Sequence, residues 1–138
     1  MYFIDTNILI YALSENSAEQ SKATRALEIL QLTDCVLSIQ VLQEFYVQST
    51  RSSRVSPLSH DEASAFIATL RRYKIQDNTI VVFQMALRLK ERYQISFWDA
   101  SILAAANITG CTTVFSEDLN TNQIYDNVRV INPFVIDK

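Results

Sequence analysis

Short apolar runs, separated by longer stretches with helical spacing, dominate the hydrophobic pattern of this chain. Tyr2-Phe3-Ile4 is a brief apolar run stopped by Asp5, which predicts a buried strand with Asp5 at its C-terminal end. Ile8 to Leu13 carries the apolar character on into Ser14-Glu15-Asn16-Ser17, a polar helix entry. Ala18 to Leu32 then predicts a helix, with Ala23, Ala26, Leu27 and Leu30 on one face and Glu19, Lys22 and Glu28 outside. Cys35-Val36-Leu37-Ser38 is a second short strand, and Ser38 is placed to cap a helix over roughly Ile39 to Ser49. On that helix Val41, Leu42, Phe45 and Tyr46 form an apolar stripe. Glu44 has Val41 and Val47 at i−3 and i+3, which sets it at the buried margin, where a carboxylate needs a partner.

Ser49 to Pro57 is polar, twice basic and closed by proline, a loop. Ser59-His60-Asp61-Glu62 has capping-box spacing and opens a helix carrying Ala63, Phe66, Ile67 and Leu70. His60, the single histidine, reads there as a surface helix-start residue. Arg71-Arg72-Tyr73-Lys74 closes the helix, where cations suit the helix dipole as well as they would suit RNA. Ile75-Gln76 predicts a minor strand, and Asp77 to Thr79 a cap. Ile80 to Tyr93 predicts a helix, its β-branched start leaving a strand reading open. Ser96 to Ala106 predicts a helix of small side chains ended by Gly110. Thr112–Phe115 and Val128–Ile131 are the last strands, followed by Ser116-Glu117-Asp118 and Asn132-Pro133 respectively. Strands separated by helices, with hydrophobic runs in place of strict alternation, predict an α/β fold with a mostly parallel sheet.

Composition narrows the function classes. A chain of 138 residues with 49% apolar side chains predicts one domain, residues 1–138, with a sizeable core. No apolar run approaches the roughly 18–20 residues of a membrane span, and the first strand leaves no room for a signal peptide, so the expectation is a cytoplasmic protein without membrane contact. One glycine excludes a P-loop and a GxGxxG fingerprint. Cys35 and Cys111 lack metal-ligand spacing and read as buried free thiols. Net charge is −3, but residues 51–92 carry eight basic and four acidic side chains between two acidic ends.

The acids carry the candidate chemistry. Asp5 follows the first strand, Glu44 lies in the early turns of the helix after the second, Asp99 in the first turn of its helix, and Asp118 after Thr112–Phe115. A parallel sheet gathers such positions along one edge, beyond the carboxyl ends of its strands. Taken singly, Asp5 reads equally as a turn cap, and Asp99 as a partner of Ser96 at capping spacing. Taken together, four carboxylates with no basic neighbour in sequence call for a hard divalent cation such as Mg²⁺ or Mn²⁺. Such a site suits hydrolysis of phosphate esters. A receiver-type module would need a lysine after a late core strand, and an aspartyl phosphatase a second aspartate where Asn7 stands.

FIDTNILIYAL, SIQVLQEFY around Glu44, SFWDASILAAA around Asp99, SEDLN around Asp118 and VRVINPF occur in this order over nearly the whole chain. With them the chain resembles a PIN-domain nuclease of the VapC type, the toxin of a toxin–antitoxin pair. The resemblance implies a three-layer α/β/α domain with a central, mostly parallel sheet, and Mg²⁺- or Mn²⁺-dependent endoribonuclease activity. It assigns Asp5, Glu44, Asp99 and Asp118 to the catalytic metal site, with Thr6, Asn7 and Ser116 in support. It further implies an RNA substrate, a homodimer and a cognate antitoxin, with DNA reached only through the antitoxin. Arg51 and Arg54 then read as phosphate contacts from a nearby loop, or as a solvated loop without that role. One departure is Thr121-Asn122-Gln123, where similar sequences often have glycine before the glutamine; Asn tolerates the left-handed turn. A catalytically silent RNA- or protein-binding module of the same fold is the alternative. A flap-cutting DNA nuclease would need elements this chain is too short to hold.

Overall fold

The structure, a computed structural model, describes residues 1–135. The expected span of 1–138 therefore ends in three positions outside the described residues. Six strands form one sheet: β1 (Tyr2–Ile4), β2 (Cys35–Ser38), β3 (Lys74–Gln76), β4 (Thr113–Phe115), β5 (Ile124–Tyr125) and β6 (Val128–Ile131). Their spatial order is β3-β2-β1-β4-β6-β5, parallel throughout except for the antiparallel β5–β6 pair. Phe3, Ile4, Val36, Leu37 and Val114 are fully covered, as strands buried on both faces of a parallel sheet should be.

Succession along the chain leads from β1 to β2 on one side, while β4 pairs with β1 on the other. The β1–β4 seam is thus the point where strand order reverses, the usual place for a ligand crevice in open α/β sheets. Register fixes what meets there. Ile4 lies opposite Phe115, Asp5 N–H donates to the Phe115 carbonyl at 3.1 Å, and Ser116 N–H donates to the Ile131 carbonyl at 3.1 Å. The ladder therefore runs one residue past the strands and sets Asp5 beside Ser116.

Helices flank the sheet, giving the α/β/α arrangement expected. They are α1 (Thr6–Ala12), α2 (Gln20–Leu30), α3 (Ile39–Thr50), α4 (His60–Thr69), α5 (Ile80–Tyr93) and α6 (Phe97–Ile108). Packing pairs α1 with α2 and α3, α3 with α4, and α5 with α6. The closeness of the last pair follows from composition: Ala100 to Ala106 of α6 are all buried, and most are alanine. Hydroxyl caps set the starts, with Ser38, Ser59, Thr79 and Ser96 each accepting from a backbone N–H three residues on. Ser59 and Glu62 complete the reciprocal capping box.

Several boundaries differ from the sequence reading. α1 begins at Thr6, immediately after the strand, because Asp5 itself accepts from Thr6 N–H. The helix expected from Ala18 starts at Gln20, after a 3₁₀ turn over Ser17–Glu19 capped by Asn16. The β-branched start of α5 is helical, held by Thr79. β5 was not foreseen; it forms a hairpin with β6 in which Asp126 takes φ 54°. Asn122, in the loop lacking the glycine, does adopt φ 68°. Cys35 and Cys111 are buried free thiols, and burial pushes the Cys35 thiol up to about 11. Among the described residues no helix is long and apolar enough to cross a membrane.

Candidate active site

Asp5 stands at the seam and is only 5% exposed. Thr6 N–H donates to Oδ1 and Ser116 Oγ donates to Oδ2, both at 2.7 Å. Burial is the largest influence on its acidity and pushes the carboxyl up to about 7. The two hydrogen bonds oppose that rise, while the charges of Asp118 and Glu44 add to it. Asp5 therefore has both of the uses open to it from sequence. It caps α1 and it belongs to the acidic group.

Glu44 sits on the second turn of α3, half-buried. Thr6 Oγ1 donates to its Oε2 at 2.7 Å, and Gln40 Nε2 donates to its Oε1 at 2.8 Å. Of the two valines expected to flank it in the interior, Val41 is buried but Val47 is 58% exposed. The Glu44 side of the helix is therefore an open rim. Gln40 Nε2 also donates to the Trp98 carbonyl at 3.2 Å, which ties α3 to the start of α6.

Asp99 lies in the first turn of α6, where its backbone N–H donates to Ser96 Oγ at 3.0 Å. Burial raises its pKa, Ser96 pulls the other way, and the charges of Asp118 and Glu44 add to the rise. Asp118 follows β4 and is exposed; Asn7 Nδ2 donates to its Oδ2 at 3.2 Å and its own N–H donates to Ser116 Oγ at 3.1 Å. Asn7 Oδ1 in turn accepts from Glu117 N–H at 3.3 Å. Thr6, Asn7 and Ser116 thus contact three of the four acids. The side chain of Glu117 is engaged elsewhere, with Tyr11 OH at 2.6 Å and Lys22 Nζ at 2.7 Å.

All four acids line one cavity of about 520 Å³, together with Gln40, Gln43, Gln48, Arg51 and Trp98. A larger hollow of about 650 Å³ lies between the α1–α2 connection and the loop before α4, but none of the four acids borders it. Chemistry, not size, selects the smaller cavity. The two loop arginines part company here: Arg51 borders the acids, whereas Arg54 lines the larger hollow. His60 is on the surface beside Tyr46 OH, 2.9 Å away. Sequence reading passed over Gln40 and Trp98. Gln40 was within reach, because it lies one helical turn before Glu44 and shares its face.

The ion pairs found among the described residues are Lys22–Glu117, Arg25–Glu28 and Arg92–Asp126, and none involves the four acids. The donor set is oxygen alone, which fits a hard divalent cation. No three acidic, histidine or cysteine side chains among the described residues close into a ready cage.

No curated protein sequence matches this chain significantly. Among solved structures, a toxin–antitoxin complex from Klebsiella pneumoniae is 20% identical with a TM-score of 0.73, over 99% of this chain and 100% of that one. Mycobacterium tuberculosis VapC20, described as a sarcin–ricin loop cleaving toxin, is 21% identical with a TM-score of 0.68, over 86% and 90%. FitAcB from Neisseria gonorrhoeae is 20% identical with a TM-score of 0.67, over 99% and 100%. At these identities the likeness is one of fold. The PIN domain family model matches residues 2–127, which takes in all four acids, and the chain belongs to the PIN domain family.

Proposed function

We propose that this protein is a Mg²⁺- or Mn²⁺-dependent endoribonuclease, the VapC-type toxin of a type II toxin–antitoxin pair acting in the cytoplasm. The observation that carries the reading is the meeting of Asp5, Glu44, Asp99 and Asp118 around one cavity, with no cationic side chain among the described residues paired to any of them. These four would hold the ion. When bound, it supplies the positive charge that assists hydrolysis of a phosphodiester. The remaining work belongs to the chain. Ser116 and the Thr6 N–H fix both oxygens of Asp5, Thr6 Oγ1 and Gln40 fix those of Glu44, and Asn7 steadies Asp118. Asp5, with a carboxyl near neutrality, is poised to ionise as a cation arrives. Arg51 on the cavity rim offers a phosphate contact, and Arg54 a more distant one along the same loop.

An antitoxin partner belongs to the same reading, supported by the similar fold of a solved toxin–antitoxin complex; a homodimer, and DNA contact made through the antitoxin, complete the proposal. The purified chain should cut RNA with Mg²⁺ or Mn²⁺, stop on addition of chelator, and lose activity in Asp5→Asn. Cleavage that survives Asp5→Asn overturns the proposal. The silent binding module keeps one specific point in its favour, the absence of a ready cage of acids among the described residues. RNA that is bound but never cut, with no effect of metal on melting, would decide for it.

A further inference from the structure

Beside the acidic cavity lies a second hollow of about 170 Å³, and Gln40, Gln43 and Trp98 line both. We propose that this hollow, walled by Trp98, Phe83, Gln40, Gln43 and Asn78, receives one unpaired nucleobase of the RNA whose backbone crosses the acids. The inference rests on the nuclease reading above and adds to it the subsite that would select the nucleotide.

Trp98 is the first observation. It directly precedes Asp99, yet it is 65% exposed, an unusual position for the largest apolar side chain. The ring is nevertheless braced: it meets Phe97 edge-on at 5.3 Å, and Phe97 meets Phe83 edge-on at 5.7 Å. The Trp98 carbonyl accepts from Gln40. A braced, open aromatic ring beside a phosphate-handling site is a platform on which a base can stack.

Size and polarity define the guest. At about 170 Å³ the hollow falls well short of the roughly 300 Å³ at which pockets begin to hold drug-sized molecules, so it suits a single ring system. Its lining contains no charged side chain, which favours a neutral base over a phosphate or a metal ion. Three amides supply specificity. Among the described residues Gln40 bonds through its nitrogen, Gln43 through its oxygen and Asn78 through its nitrogen, so an amide oxygen, an amide N–H₂ and a second oxygen have no partner there. Donors and acceptors around an aromatic platform match the edge and face of a base splayed out of its stack. A paired base inside a helix cannot enter. Exposed Ile80, Val81 and Leu87 on α5 would serve a second copy of the chain equally well, but the amides and the continuity with the acidic cavity favour the base.

Trp98 is the protein's only tryptophan, so its fluorescence reports this position alone. Full-length Asp5→Asn protein, which on the nuclease reading leaves RNA intact, is titrated in Mg²⁺ with single-stranded pentauridylate, pentaadenylate and an abasic ribose-phosphate pentamer. The expected result is quenching by at least one base-bearing oligomer and none by the abasic one. Trp98→Ala should weaken binding of that oligomer about tenfold or more, and Trp98→Phe by no more than about threefold, as a stacking role requires. Gln43→Ala with Asn78→Ala should change the preference between the two oligomers at unchanged melting temperature. Equal quenching by the abasic pentamer, or unchanged binding by Trp98→Ala, overturns the subsite. So does a fluorescence change on dilution without RNA, which would place a second copy over the ring. Wild-type protein that is quenched by RNA but never cuts it overturns the nuclease reading and spares the subsite. Wild-type protein that cuts, with Trp98→Ala cutting equally well, does the reverse.

Discussion

Thr6 Oγ1 donates a 2.7 Å hydrogen bond to Glu44 Oε2, joining the first turn of α1 to the second turn of α3 across 38 positions of sequence. Its own backbone N–H holds Asp5 Oδ1 at the same distance. One buried threonine therefore orients two of the four acids. Thr6→Val keeps the shape and the N–H but removes the hydroxyl, leaving Glu44 with Gln40 alone. A lost hydrogen bond to a half-buried carboxylate costs about 1–2 kcal/mol, so the fold should survive with a modest drop in melting temperature. RNA cleavage should fall about tenfold, since misaimed carboxylates weaken both ion and substrate placement. Thr6→Ser should recover most of it. Full activity in Thr6→Val would show that Glu44 is held well enough without the contact.

Acidity at Asp5 predicts a pH dependence of stability. The unfolded chain ionises this carboxyl near its ordinary value of 3.8, whereas the folded chain retains the proton up to about 7. Between those values the native state binds more protons than the unfolded one, so stability must fall as pH rises through that window. Below the window both states are protonated and nothing is lost. Chelated wild-type protein should therefore melt at a lower temperature at pH 8 than at pH 5, and Asp5→Asn should flatten much of that slope. Mg²⁺ or Mn²⁺ added at pH 8 should restore the melting temperature in wild type and much less in Asp5→Asn. A melting temperature that climbs steadily from pH 5 to 8 in the chelated protein would contradict the burial of an acid at this seam.

Much of this arrangement was legible in sequence because its determinants are local. Ser38, Ser59, Thr79 and Ser96 mark helix starts through contacts three residues long, and each does so in the structure. The strand at Cys35–Ser38 was visible because a buried parallel strand is covered on both faces, whereas Val128–Ile131 buries Val128 and Val130 and exposes Arg129. What was hidden depends on space. β5 is two residues long, too short for any period to register. Gln40 acquires its second contact from Trp98, 58 positions away. Arg51 and Arg54 look alike in one loop, but helix α3 ends at Thr50 and the turn that follows sends them to different hollows. The apolar neighbours of Glu44 set it rightly at the buried margin, but the exposure of Val47 shows that a helical spacing says which residues share a face and not how wide the covered stripe is.

Helix α6 offers a test of the scaffold behind Asp99. Ala104 is fully buried in the run of small side chains with which α6 packs on α5 and the sheet. Ala104→Leu adds three carbons with nowhere to go, and overpacking of this kind costs about 1–3 kcal/mol. Because α6 carries Asp99 at its start, the displacement should also reach the acids. Denaturant melts should show the loss of stability, and cleavage at a temperature well below melting should show a further deficit. A variant that loses stability but cleaves normally would show that the start of α6 is held by Ser96 and Gln40 independently of its packing.

Asp118 is the most exposed of the four acids, and beside its own contacts with Asn7 and Ser116 it follows directly on a second anchored residue. Glu117 accepts from Tyr11 OH at 2.6 Å and from Lys22 Nζ at 2.7 Å, while Lys22 sits 4.7 Å from the Tyr11 ring centre and 5.5 Å from that of Phe134. Burial pushes the Glu117 carboxyl up, but Lys22 and Tyr11 together bring it below its ordinary value, and Glu117 in turn holds the Lys22 proton more firmly. Both groups reach solvent, so screening limits their direct contribution to stability to under about 1 kcal/mol. Their consequence is instead positional: they pin the backbone whose next residue must face the cavity. Glu117→Gln and Lys22→Met should each leave melting of the chelated protein almost unchanged, yet reduce RNA cleavage about three- to tenfold and shrink the melting increment produced by Mn²⁺. Since both substitutions open the same clasp, the double variant should be little worse than either single one. Additive losses in the double variant would mean that Lys22 and Glu117 act on the site separately, Lys22 through the phosphate backbone and Glu117 through the loop.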